Sequence, residues 1–142
     1  MTALHIAKQM IKIANQLDIP ITNMKLHNLL LFVQLVTLKT LNWTAFDDDI
    51  VANINGVKIK EVYEYFKGYV ADDIILYEDI KIDNNNITTI IECVLKELGN
   101  MNYWTLSNYI KEQKFWLCNF FAGKGYTITV NDMKEFNETR CI

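Results

Sequence analysis

Residues that commonly carry chemistry or punctuate a fold are scarce in this chain of 142 residues. It has one proline, Pro20, and two histidines, His5 and His27, which fall on separate predicted helices. Two isolated histidines exclude an HExxH metal helix, and neither a nucleophile elbow nor a phosphate-cradling GxxxxGK loop accompanies them. Gly123-Lys124-Gly125 alone reads as a turn. The three cysteines, Cys93, Cys118 and Cys141, are odd in number and widely spaced. With no CxxC pair among them, neither a disulfide scaffold nor a zinc ribbon is supported, and they read as the reduced thiols of a cytoplasmic protein. No apolar run approaches the roughly twenty residues that span a bilayer. Lys8, Lys12 and Gln16 interrupt the first apolar segment, so neither a membrane anchor nor a signal peptide is expected. Positive charge is short as well: a formal net charge of −3 disfavours direct nucleic-acid binding, which draws on clustered Lys and Arg. These absences together point away from catalysis, and neither a cofactor nor a metal is expected.

What is present is apolar and helical in period. Half the residues are hydrophobic, enough for the core of one domain spanning 1–142. Behind Thr2 as a cap, Leu4, Ala7, Met10, Ile11, Ala14 and Leu17 recur at three-and-four spacing and predict a helix that Pro20 ends. A second helix over about Thr22 to Thr40 is apolar around much of its circumference and belongs at the centre of a bundle. Lys25, His27 and Asn28 mark its first turns as nearer the surface, with His27 a partly exposed, hydrogen-bonded residue. Asp47, Asp48 and Asp49 suit the positive end of a short helix leading into Ala52. Lys58 to Tyr69 predicts an amphipathic helix ended by Gly68. Asp72 to Asp83 alternates imperfectly and reads as a short strand or an extended arm, followed by Asn84, Asn85 and Asn86 as turn and cap. Further helices are expected over Ile87 to Leu98, with Gly99 as a left-handed C-cap, after Thr105, and over Thr129 to Glu138. The fold expected is mainly α: a compact single-domain bundle of about six helices with one short β-hairpin or extended arm.

Two of these segments carry a resemblance. Pro20 to Gln34 (PITNMKLHNLLLFVQ) and Ile50 to Lys67 (IVANINGVKIKEVYEYFK), in this order and spacing, resemble the Panacea domain, the family of SocA-like antitoxins and GepA-type phage-associated proteins. Ala52, Gly56, Val57, Val62, Tyr63 and Phe66 stand at positions of its second motif, and Leu106-Ser107 and Trp116 at those of its third. Asn53 replaces the usual tryptophan, Gly56-Val57 the usual Gly-Pro pair, and the third motif's histidine is missing near Ile110. The resemblance implies an antitoxin-like module that neutralises a cognate protein toxin by direct contact, in some relatives by delivering it to a protease. It equally accommodates a phage or mobile-element protein that binds and inhibits a host defence factor such as a nuclease, in the manner of an anti-CRISPR.

A binder needs surface shape and aromatic contact area rather than a charge relay. Tyr65 and Tyr69, four residues apart and partly off the apolar stripe, are the expected exposed aromatic contacts. The acidic groups Asp47, Asp48, Asp49, Asp72 and Asp73, with Glu78 and Asp79, suit a basic partner protein. An exposed aromatic patch also leaves a homodimer open.

Overall fold

The computed structural model describes residues 1–83, 85–123 and 126–139. Helix α1 (Ala3–Gln16) starts where expected, with the Thr2 hydroxyl accepting the His5 N–H at 3.1 Å. It stops before Pro20, because Asp18 adopts a left-handed conformation (φ 57°) and turns the chain first. Helix α2 (Asn23–Leu41), capped by Thr22, is the central element and packs against α1 and most of the later elements. Asn42, also left-handed at φ 62°, ends it. One expectation fails here: Lys25, His27 and Asn28 are buried, not near the surface. Their polar atoms bind the backbone of distant loops, so burial leaves none of them unsatisfied.

The acidic turn leads into a strand, not a helix. Strand β1 (Ile50–Asn53) buries Ile50 and Ala52 and leaves Val51 and Asn53 half-buried, a period of two that a helix cannot satisfy. It pairs with β2 (Gly56–Lys58) through Ala52 opposite Val57 and with β3 (Thr127–Ile128) through Ile50 opposite Ile128. Both pairings are antiparallel and the order is β2-β1-β3. The hairpin therefore lies at 50–58 rather than at 72–83. Gly56 holds φ 113°, and a Cβ there would meet the Asn28 carboxamide oxygen at 2.5 Å.

Helix α3 (Lys60–Phe66) tightens into a single 3₁₀ turn over Lys67–Tyr69, so Gly68 lies inside that turn. An extended arm over 70–83 follows, without strand pairing among its residues. Asn85 then caps α4 (Asn86–Leu98), its side chain accepting the Thr88 N–H at 3.0 Å. Gly99 is right-handed (φ −61°), contrary to the expected left-handed cap. Its small size serves packing instead, since a Cβ would lie 2.9 Å from Ile19 Cγ2. Asn102 caps α5 (Tyr103–Lys111), which begins ahead of Thr105. Helix α6 (Lys114–Trp116) runs directly into a π-helical turn, Leu117–Phe121. Helix α7 (Val130–Thr139) opens with a capping box: Thr129 N–H donates to Asp132 Oδ2 at 3.0 Å and Asp132 N–H to Thr129 Oγ1 at 3.1 Å. Among the described residues, seven helices surround one continuous apolar core, with a small three-stranded sheet at its side. Lys124, Gly125, Asn84 and Cys141 lie outside the described residues.

Candidate functional site

The arm over 70–83 is extended yet has no strand beside it, so its backbone must find partners elsewhere. Helix α1 supplies them through two side-chain amides that act as strand edges. Asn15 donates to Ile74 O at 3.1 Å and accepts from Leu76 N at 3.2 Å. Two turns nearer the α1 N-terminus, Gln9 donates to Lys81 O and accepts from Asp83 N at 2.8 Å. Lys12, between them, donates to Leu76 O at 3.4 Å, and Ile74 N bonds Ile21 O at 2.8 Å. The arm thus runs antiparallel to α1, which buries Ile74 and Leu76 on the inner side. Alternation then turns Ile75 and Tyr77 outward, and Tyr77 is 90% exposed.

The predicted aromatic residues meet this arm. Tyr65 lies under it: its hydroxyl donates to Glu78 Oε1 at 3.3 Å, and the Lys8 ammonium sits 4.4 Å above its ring. Tyr69 is half-buried against Phe66 and donates to Ile75 O at 3.4 Å. Both therefore brace the arm. The outermost aromatic group is Tyr77, which spacing within α3 could not reveal. Asp72 and Asp73 are exposed at the arm's start, where Asp72 N–H closes a turn on Tyr69 O at 2.8 Å. With exposed Glu78 and Asp79 they make the outer strip acidic, opposed along it by Lys81.

Asp47, Asp48 and Asp49 do not join them. Asp48 accepts the Ala3 N–H at 2.8 Å and so sits at the positive end of α1 itself. The arm starts beside the other end of that helix, and fourteen residues at ~1.5 Å rise put Asp72 and Asp73 about 20 Å along α1 from Asp48, while Glu78, 4.0 Å from Lys8, lies nearer.

The frame behind the arm is rigid for reasons that lie in α2. His27 Nδ1 accepts the Ile59 N–H at 3.0 Å, which places the ring proton on Nε2, 3.0 Å from Asn23 Oδ1. Burial, helped by the nearby Lys58 charge, pushes its pKa down to about 4. Asn28 accepts from Val57 N at 3.2 Å and donates to Asn55 O at 3.3 Å. The same hairpin tip receives Ser107 Oγ on Asn55 O at 3.1 Å, Lys111 Nζ on Ile54 O at 2.8 Å, and Trp116 Nε1 on Gly56 O at 2.8 Å. Tyr103 adds a 2.7 Å bond from its hydroxyl to Asn55 Oδ1. Lys25, whose pKa burial lowers, reaches Gly99 O and Pro20 O and ties α4 to the start of α2.

A second aromatic surface surrounds that tip. Trp116 is buried and stacks on Phe120 at 4.6 Å, Phe121 stands edge-on to both, and Tyr126 is edge-on to Phe120. Phe121 and Ile54 are largely exposed, as is Trp104 beside Tyr103. Among the described residues no group of three or more His, Cys, Asp or Glu is placed to hold a metal ion, and no helix is long and apolar enough to cross a membrane. No family model, curated protein or solved structure matches this chain.

Proposed function

We propose that this protein is an antitoxin-like module that neutralises a cognate protein toxin by direct contact, with the arm over 70–83 as its contact surface. The observation that carries the reading is the outward presentation of Ile75 and Tyr77 on a backbone already fixed by Asn15 and Gln9. A pre-ordered segment loses little conformational entropy on binding, and an exposed tyrosine supplies large contact area through few rotors. The Panacea resemblance supplies the class of partner. Asn28, Ser107 and Trp116 all bond the hairpin that contains Gly56 and Val57.

The acidity of the strip favours one second reading, inhibition of a host nucleic-acid-binding factor whose basic surface Asp72, Asp73, Glu78 and Asp79 would occupy. Co-expression with the product of the gene encoded beside it separates the two. Rescue of growth with co-purification of a stable complex supports the antitoxin. A harmless neighbour, or toxicity without rescue, removes that reading. Loss of host-factor inhibition on changing the four acidic residues to Asn and Gln would then support the other.

A further inference from the structure

Helices α4 and α5 diverge from the short connector that joins them, and both pack on α2. The wedge between them is a groove of about 570 Å³, inside the range of roughly 300 to 1,000 Å³ that small-molecule sites occupy. Its floor and walls are Phe32 and Val36 of α2, Val94 and Leu98 of α4, Leu106 of α5 and Phe136 of α7. Met101 in the connector lines it at the vertex, and Phe136 bounds it on the α7 side. A groove of this volume suits a compact ligand.

The polar groups of the lining are few: the Thr105 hydroxyl, which donates to Asn102 Oδ1 at 3.0 Å, the Cys93 thiol, and the Glu97 and Tyr109 side chains, of which only Glu97 carries a charge. Glu97 contributes a carboxylate that makes no ion pair among the described residues. Tyr109, tilted against Phe32 at 6.1 Å, contributes a half-exposed ring, and no Lys or Arg among the described residues lines the groove. A carboxylate and an aromatic face beside an apolar floor complement a cation on an apolar body.

We propose that this groove binds an amphiphilic amine, its alkyl or aryl body on the Phe32–Leu106 floor and its ammonium group at Glu97. The site is separate from the arm and does not depend on the antitoxin reading. The test titrates the intact protein with decylammonium below its micelle concentration, and in parallel with decanoate, by calorimetry and by amide chemical shifts. Decylammonium is expected to bind saturably and decanoate much more weakly. Glu97→Gln should weaken the amine by up to about fivefold, the effect of losing one solvent-exposed charge contact. Cys93→Trp places bulk at the rim from an exposed position, so folding is spared, and should block binding. Equal binding of amine and carboxylate, absence of saturable binding, or binding that survives Cys93→Trp would each overturn the proposal. So would an amphipathic Leu/Lys helical peptide that shifts the same amides and binds more tightly than the amine, which would make the groove a helix-docking surface.

Discussion

Acidification should weaken this fold through one buried side chain, His27. In the folded protein the ring is neutral because burial and Lys58 hold its pKa near 4, against an ordinary 6.5. The unfolded chain therefore binds the proton more readily than the folded one, and stability is complete above pH 6.5 and falls as the pH drops from there toward 4. The full difference of about 2.5 units corresponds to ~3 kcal/mol, of which roughly 2 kcal/mol is lost between pH 7 and pH 5. Protonation would also end the acceptor role of Nδ1 toward the Ile59 N–H, releasing the start of α3 from α2. Urea unfolding at pH 7 and pH 5 measures the loss, and His27→Gln, which retains an acceptor and a donor but cannot titrate, gives the baseline. The wild type should lose about 2 kcal/mol more than the variant over this interval. Equal losses would clear His27 and assign the acid sensitivity to carboxylates elsewhere.

Gly56→Ala should cost about 2 to 3 kcal/mol by thermal unfolding, since the new Cβ meets Asn28 Oδ1 at a backbone angle that L side chains avoid. Asn15→Ala removes two backbone partners of the arm. The Leu76 amide should exchange faster, while Asp83, held by Gln9, and the amides of Val57 and Ile59 keep their protection. Val70 holds φ 51° and ψ −110° in an exposed position, so Val70→Gly should stabilise the protein by about 1 kcal/mol, seen as a higher urea midpoint at unchanged slope.

The helices are legible in the sequence because each carries its own evidence. Thr2, Thr22 and Asn85 cap where a cap is needed, and the all-round apolar surface of α2 announces a central helix. Features that depend on pairing across the chain are not legible in this way. Lys25, His27 and Asn28 look like surface residues when α2 is read alone. They are buried because loops as remote as 55–59 and Gly99 need their polar atoms. The strands are two to four residues long, too short for alternation to register against the acidic turn before them. For the same reason Asp47 to Asp49 look like the start of a helix that does not form, while Asp48 serves the first turn of α1. The arm is half legible: extension follows from its composition, but its anchors, Gln9 and Asn15, stand about sixty to seventy residues earlier. Spacing alone puts Tyr65 and Tyr69 on one face. That the arm lies across this face, and carries Tyr77 outermost, needs the fold.

The proposed contact of a cognate toxin with the outer edge of the arm is open to a direct comparison of affinities. The toxin is titrated with the wild-type protein, with Tyr77→Ala combined with Ile75→Ala, and with Trp104→Ala combined with Phe121→Ala at the hairpin tip. The first pair should lose at least about tenfold and the second should stay near wild type, in keeping with the weight that buried aromatic anchors carry in interfaces. An unchanged affinity in the arm variant, whose substituted side chains are both exposed, would show that the toxin does not bind there.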